Sequence, residues 1–368
     1  MAASPGTSRG LHSRLSAWEA RTPRACALLI VALLPLAGRP LVAQRPGVDS
    51  AARPADRRNA RESLSLLRDT ARLKPKPPSP AVARLVGEYS SGADTLIVLE
   101  RSDKPYGILR DRETALSPVQ FTPDDAARAR SVRLGTRTFG RSAVGTEEGV
   151  TFRVTPLRPV DDLRREALAS VPPAESGSFR TSNLVEVVAL EAGIHLDIRY
   201  ASANNFLGAP MYSSARAFLQ APAARALVRV HRALAAYGYG LLIHDAYRPW
   251  YVTRMFWDAT SGADHEFVAN PSTGSRHNRG AAVDLTMYDR QSGRAVRMTG
   301  GYDEFSHRSY AAYPGGTALE RWQRDLLRRE METAGFTVNP SEWWHFDYDG
   351  WKEYPLLNVR FEQVRVSR

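Results

Sequence analysis

The chain has 368 residues, of which 43% are hydrophobic and 24% charged, and it carries a formal net charge of +11. This composition is close to that of ordinary soluble globular proteins and excludes collagen-like, fully disordered and multi-span membrane proteins. The first 80 residues hold 14 basic and 5 acidic residues, which leaves residues 81–368 with a net charge of only +2. The total charge alone therefore does not indicate a nucleic-acid partner, and none is expected.

Residues 1–43 have the pattern of a cleaved secretory signal peptide. Four arginines precede a short apolar run at residues 25–36, and the small residues around Ala43 suit cleavage before Gln44. The run is shorter than the roughly 20 residues of a membrane-spanning helix, and an uncleaved membrane anchor is the alternative interpretation. The single cysteine, Cys26, lies in this leader, so the mature chain would have no thiol. We expect a periplasmic or secreted protein.

Residues 44–80 are predicted to form a basic linker. The segment contains six prolines and nine basic residues, a composition that extends a chain and resists burial. We interpret it as a tether or spacer, with loose association with the cell wall or a membrane surface as the alternative role.

Residues 81–160 are predicted to form a small, mostly-β domain. Short runs of β-forming residues, such as 94–99 and 149–154, alternate with turn residues. The segment contains no histidine and no paired carboxylates suited to catalysis, so its role cannot be assigned from the residues.

A second linker is predicted at residues 161–182, followed by an α+β catalytic domain at residues 183–368. Pro222 and Gly238 bracket a periodic apolar pattern that predicts a helix, and a strand is expected at residues 241–243. A further helix is predicted at residues 319–333, ended by Gly335, with the next strand starting at Phe336.

Two of the seven histidines outside the leader have neighbours that indicate metal chemistry. His277 precedes Asp284 in a small and apolar setting, and His345 follows Glu342. Two neutral imidazoles and one carboxylate can hold Zn²⁺ with a coordination position left for water, and a second carboxylate can act as general base. Residues three apart in a strand point to opposite faces, so Glu342 and His345 share a site only if the backbone turns between them. On spacing alone this signal is weak.

Five segments resemble the VanX-type D-alanyl-D-alanine dipeptidases, in the family's order over roughly residues 183–360. The two most specific are Ser275–Asp284, which reads Ser-x-His-x-x-Gly-x-Ala-x-Asp, and Glu342–His345, which reads Glu-Trp-Trp-His. The others are the segments Asp197–Gly208, Asp245–Pro249 and Met298–Phe305. The last departs from the family pattern at Thr299 and Tyr302, which stand in place of a glycine and a phenylalanine.

The resemblance implies a zinc D,D-peptidase or hedgehog-like fold with one Zn²⁺ per catalytic domain. It assigns His277, Asp284 and His345 as metal ligands and Glu342 as the residue that activates the bound water. Arg248 would face the scissile carbonyl, where a guanidinium stabilises developing negative charge; a structural salt bridge to Asp245 is the alternative.

The resemblance also implies that three further residues bind the substrate. Asp303 would accept the free ammonium of a dipeptide, and Tyr200 and Ser275 would line the pocket. The alternatives are that Asp303 caps a helix, that Tyr200 only packs and that Ser275 only makes a turn hydrogen bond.

We therefore expect hydrolysis of D-alanyl-D-alanine, or a close D,D-dipeptide, in cell-wall peptide turnover. A D,D-carboxypeptidase that acts on longer peptidoglycan peptides is the nearest alternative, but such enzymes usually have Glu-Pro-Trp-His at the second motif. A non-catalytic zinc-stabilised binding module is a further alternative, and the presence of Glu342 and Arg248 weighs against it. The expected partner is a small dipeptide, without nucleic acid.

Overall fold

The computed structural model describes residues 73–110, 116–121, 129–142 and 151–364, which belong to one compact unit. The predicted signal peptide and most of the predicted basic linker lie outside these residues. No helix in the described ranges is long and apolar enough to cross a membrane.

The amino-terminal part of the described chain is a six-stranded antiparallel sheet that follows a short helix, α1 (Pro80–Leu85). Its strands are β1 (Gly87–Ser91), β2 (Asp94–Arg101), β3 (Lys104–Leu109), β4 (Ser117–Pro118), β5 (Ser131–Leu134) and β6 (Arg137–Arg141). They are ordered β4-β3-β2-β1-β6-β5. Leu85, Tyr89, Leu96, Val98 and Phe139 are fully buried in a small core of their own.

A second, five-stranded sheet carries the candidate site. Its strands are β8 (His195–Leu196), β10 (Tyr239–Asp245), β11 (Ala282–Asp289), β12 (Phe336–Asn339) and β13 (Glu342–Tyr348). The order is β12-β13-β11-β10-β8, with β8 and β10 parallel and the other pairs antiparallel. Strands β7 (Leu184–Glu186) and β9 (Phe218–Gln220) form a separate antiparallel pair.

Five helices accompany this sheet, and two of them were predicted. They are α2 (Val160–Ala169), α3 (Val187–Leu190), α4 (Ala221–Leu234), α5 (Trp250–Ala259) and α6 (Ala318–Thr333). Helix α4 has Pro222 in its first turn, and Gly238 follows its last turn with φ of +82°, a conformation that glycine adopts without strain. Helix α6 begins with a capping box between Thr317 and Glu320 and buries Leu326, Leu327 and Met331. The helix predictions at these two places are confirmed.

Two predicted segments differ from the structure. The strand predicted at residues 149–154 is not formed over its described part; instead the Phe152 ring packs on Phe305, with 5.2 Å between centroids. The predicted linker 161–182 starts within α2, where Leu163 and Ala167 are buried against the core of the five-stranded sheet. Residues four apart share one helix face, and this short apolar stripe was too sparse to stand out in the sequence.

The two sheets are joined through a buried glutamate at the end of β2. The Glu100 N–H donates to the Gly316 carbonyl at 3.2 Å, and its side chain accepts from the Ala318 N–H, in the first turn of α6, at 2.8 Å. A carboxylate is favourable at this position because the first turn of a helix carries free N–H groups and partial positive charge. The six-stranded sheet is therefore fixed to the helix that packs behind the candidate site.

Candidate active site

Strand register brings the candidate residues to one face of the five-stranded sheet. Asp284 of β11 lies directly opposite Asp245 of β10 on one side and His345 of β13 on the other. Side chains of directly opposed residues lie on the same face of a sheet, so these three groups converge. His277 approaches from a 3₁₀ turn, Arg276–Arg279, that leads into β11.

His277, Asp284 and His345 form a group that could hold a metal ion. The Oδ1 atom of Asp284 lies 3.2 Å from Nε2 of His277 and 3.0 Å from Nδ1 of His345, and these two nitrogens are 3.1 Å apart. Asp284 Oδ1 is buried and has no hydrogen-bond donor among the described residues. An orphaned buried carboxylate oxygen is costly, and a cation in contact with it removes that cost.

Hydrogen bonds on the far side of each imidazole fix which nitrogen faces the group. Nδ1 of His277 donates to the Ala246 carbonyl at 2.6 Å, and Nε2 of His345 donates to Asp347 Oδ1 at 2.9 Å. In the neutral rings the opposite nitrogens therefore present lone pairs toward Asp284. This is the arrangement that metal-binding histidines require.

The charges in the group favour a cation. Burial raises the pKa of Asp284, but the neighbouring imidazoles outweigh it and hold the pKa well below its usual range. Burial lowers the pKa of His345, yet Asp284 and Asp347 raise it well above its ordinary value. A proton and a metal ion would therefore compete for the same position.

Asp347 was not predicted from the sequence, and its contact with His345 leads to a test. We expect Asp347→Ala to weaken metal binding about 10- to 100-fold with Zn²⁺ as the probe, because His345 loses the acceptor that orients its ring. Competition with a chelating dye measures this change. The matched control is Asp349→Ala, because Asp349 bonds to Thr337 and does not touch a ligand. Equal zinc affinity in wild type and the Asp347 variant would rule out this orienting role.

Glu342 lies beside the metal group because the β12–β13 pairing is irregular. Val338 pairs with Phe346 while the next residue, Asn339, pairs with Glu342, so the regular register is lost between these pairs. The Glu342 carboxylate consequently lies 3.5 Å from Nδ1 of His345 and accepts from the Asn339 side chain at 2.9 Å. Glu342 and His345 thus meet at one site through this irregularity within a single strand, and not through a turn between them. Burial, against the opposing effect of His345, raises the pKa of Glu342, which suits a general base.

Arg248 is buried next to Asp245 and also lines the site cavity. Its Nε and one terminal nitrogen lie 2.9 Å and 2.8 Å from Asp245 Oδ2, and that nitrogen is 3.5 Å from Asp284 Oδ2. Burial lowers the pKa of Arg248, but Asp245 raises it well above its ordinary value, so the guanidinium stays charged. The salt bridge to Asp245 is thus present, and it fixes the direction of the guanidinium toward the cavity.

Asp303 and Tyr200 form a buried pair at the same cavity. The Tyr200 hydroxyl donates to Asp303 Oδ2 at 2.8 Å, and Asp303 holds a left-handed backbone with φ of +55°. Such a conformation costs free energy in a residue other than glycine. Burial and Asp284 raise the pKa of Asp303 well above its ordinary value, so an approaching positive charge would favour the ionised carboxylate.

Ser275 caps the turn that carries His277. Its hydroxyl accepts from the His277 N–H at 3.2 Å, and the Ser275 N–H donates to the side-chain oxygen of Asn278 at 2.7 Å. The turn hydrogen bond named as the alternative for Ser275 is therefore present, and the residue also lines the cavity.

One cavity of about 340 Å³ is lined by all eight candidate residues: Tyr200, Arg248, Ser275, His277, Asp284, Asp303, Glu342 and His345. Two supporting residues were not predicted, Asp347 and Tyr302, whose hydroxyl donates to Asp284 Oδ2 at 3.1 Å. Asp347 lies two residues after His345 in β13, and the period of a strand would have placed it on the same face. Tyr302 comes from a distant loop and has no such signal.

Comparison with known proteins places the matched region over this site. The sequence model of the peptidase M15 family, described as D-Ala-D-Ala dipeptidase, matches residues 180–367. A D-alanyl-D-alanine dipeptidase from Escherichia coli (strain K12) is 35% identical over 181 residues, covering 49% of this chain and 92% of the relative. Proteins of the same name from Enterococcus faecium and Streptomyces coelicolor are 33% and 32% identical, covering 42% and 50% of this chain and 85% and 98% of the relatives.

Proposed function

Because the chain belongs to the peptidase M15 family of D-Ala-D-Ala dipeptidases, we propose that it hydrolyses D-alanyl-D-alanine with Zn²⁺ held by His277, Asp284 and His345. The observation that carries the proposal is the convergence of two fixed imidazole lone pairs on the unpartnered Asp284 oxygen. Two nitrogen ligands and one carboxylate favour zinc over magnesium, and no cysteine lies in the described residues. When bound, zinc acts as a Lewis acid that activates water and polarises the peptide carbonyl.

Glu342 is assigned the proton transfers. Its carboxylate accepts a proton from the attacking water and delivers it to the nitrogen of the leaving amino acid as the peptide bond breaks. The raised pKa of Glu342 brings its proton affinity closer to that needed for both transfers near neutral pH.

Arg248 is assigned stabilisation of the negative charge on the carbonyl oxygen. That charge is largest in the tetrahedral state, so a fixed guanidinium lowers the barrier more than it strengthens substrate binding. Asp245 holds Arg248 through two short contacts and limits its reorientation.

We assign to Asp303 and Tyr200 the binding of the substrate's free ammonium group. Asp303 supplies negative charge in the wall of the cavity, and the Tyr200 hydroxyl donates to it at 2.8 Å. Burial and Asp303 raise the pKa of Tyr200 well above its ordinary value, so this hydroxyl keeps its proton. A peptide with a blocked or extended amino terminus offers no ammonium at this position, which favours a dipeptide over a longer wall peptide.

Substrate comparison tests this specificity. We expect the purified protein to hydrolyse D-Ala-D-Ala at least about 100-fold more efficiently than N-acetyl-D-Ala-D-Ala, because the acetylated peptide leaves Asp303 unpaired. Kinetics with D-Ala-D-Ala, its acetylated form, L-Ala-L-Ala and a pentapeptide ending in D-Ala-D-Ala measure kcat/KM. Release of D-alanine from the pentapeptide but not from the dipeptide would favour the carboxypeptidase instead.

We also propose that the enzyme is exported and acts on dipeptides released during cell-wall turnover. The basic and apolar pattern of residues 1–43 supports export, and the proline-rich segment 44–80 would then serve as a spacer. Mass spectrometry of the protein from fractionated cells would find a mature chain starting at Gln44 outside the cytoplasm. An intact leader on a cytoplasmic protein would contradict this proposal.

The six-stranded sheet supports a further assignment, that most of residues 81–160 form a small accessory domain, while Phe152, Val154 and Val160 at its end pack on the catalytic core. Its own buried core favours this division, although its contact through Glu100 ties it to the catalytic part.

A further inference from the structure

A second cavity, of about 170 Å³, lies between the six-stranded sheet and the catalytic part of the chain. The sheet contributes Gly87 and Arg141, and the catalytic part contributes residues 295–302 with Arg199, Arg308 and others. None of the eight candidate active-site residues lines it. The cavity is therefore distinct from the dipeptide site, although the Tyr302 ring forms part of its wall.

Three residues of this wall carry buried polar atoms without a hydrogen-bond partner among the described residues. The atoms are Thr286 Oγ1, Thr299 Oγ1 and Trp343 Nε1, and each side chain is more than nine-tenths buried. An indole N–H can only donate, and a threonine hydroxyl can donate as well as accept. Buried polar groups are normally paired, so three of them around one small cavity indicate an occupant rich in acceptors.

The charges around the cavity indicate that this occupant is an anion. Four arginines line it, Arg141, Arg199, Arg297 and Arg308, against a single lining carboxylate, Glu320. Arg199, Arg297 and Arg308 lie 2.6, 2.7 and 3.6 Å from Asp197, Glu320 and Glu304, respectively.

Arg141 differs from the other three. It donates to the carbonyls of Arg84 and Val86 and to the Tyr89 hydroxyl, with no carboxylate partner in the part of the chain that the structure describes. Among the described residues, one positive charge in the cavity wall therefore has no carboxylate partner.

We propose that this cavity binds a small oxyanion, a phosphate or a carboxylate, between the sheet and the catalytic part. A cavity of about 170 Å³ has room for an ion of this size. Oxyanions accept several hydrogen bonds at once, and bonds from arginine or neutral donors to an anion are stronger than those between neutral groups. A ligand that contacts Arg141 on one side and the loop at residues 295–302 on the other stabilises the joint between the two parts.

Calorimetric titration of the metal-loaded full chain with inorganic phosphate or acetate tests the proposal, with sodium chloride at equal ionic strength as the reference. We expect Thr299→Val to weaken binding about tenfold, because the substitution keeps the shape and removes one donor. Thr286→Val provides a second, independent variant. Thr260→Val is the matched control, because Thr260 is equally buried but bonds to the Phe256 carbonyl away from this cavity. The relative affinities for phosphate and acetate then distinguish the two sources of the anion.

Inhibition of the peptidase by phosphate separates this cavity from the metal site. Phosphate bound only at the metal would inhibit wild type and Thr299→Val equally and would give identical calorimetric titrations. That result, or the absence of heat from both anions at about millimolar concentration, would overturn the proposal. Weaker binding in Thr299→Val, with an unchanged inhibition constant, would support it.

Discussion

Glu342→Gln is expected to lower kcat for D-Ala-D-Ala by roughly 10²- to 10⁴-fold while the protein keeps its bound zinc. Glutamine has the same shape and can still accept the 2.9 Å bond from Asn339, but it cannot take a proton from water. The imidazole and carboxylate ligands are unchanged, so metal affinity should alter little. Steady-state kinetics and metal analysis of the same preparation measure both quantities.

A distant glutamate provides the control for this substitution. Glu332 lies on α6 in a half-exposed ion pair with Arg328, so Glu332→Gln should leave kcat unchanged. Full activity of the Glu342 variant would remove Glu342 from the mechanism. Loss of activity together with loss of zinc would assign it to metal binding instead.

Arg248→Lys is expected to lower kcat by roughly 10²- to 10³-fold, the cost of removing one donor from an oxyanion site. Lysine keeps the positive charge but has a single compact ammonium group. The planar guanidinium contacts Asp245 and faces the cavity at the same time, and an ammonium group cannot do both. The loss should appear mainly in kcat, because the charge that Arg248 stabilises develops in the transition state.

The matched control for Arg248 lies on the neighbouring helix α5. Arg254 pairs with Asp258 at 3.0 Å at the protein surface, and Arg254→Lys should leave kcat and KM unchanged. An Arg248 variant that raises KM with kcat intact would show that Arg248 binds the ground state and does not stabilise the oxyanion.

The three residues that could hold a metal were predictable because their histidine and carboxylate residue types, together with the resemblance, identify them without three-dimensional information. The relative positions of these residues in the fold could not be predicted. The sequence gives no register between β11 and β13, yet it is this register that places Asp284 opposite His345. The irregular pairing that brings Glu342 beside His345 lies within the β12–β13 hairpin, and such a shift of register leaves no periodic pattern in the residue types.

The second cavity also could not be predicted from the sequence. Its arginines are separated by up to 167 positions, from Arg141 to Arg308, and of the four only Arg199 stands in one of the family-like segments. Only the packing of the six-stranded sheet against the catalytic part brings them together. Most of the net positive charge belongs to the first 80 residues. The four arginines nevertheless concentrate a small excess of positive charge at one place within the fold.

Zinc titration of the metal-free enzyme tests the central claim most directly. After treatment with a chelator, the protein should be inactive on D-Ala-D-Ala, and activity should return in proportion to added Zn²⁺ up to one ion per chain. The His345→Ala variant should recover no activity over the same range, because it lacks one of the three ligands. Full hydrolysis of D-Ala-D-Ala by the metal-free protein, or equal recovery by His345→Ala, would contradict the assignment of His277, Asp284 and His345 as the catalytic metal site.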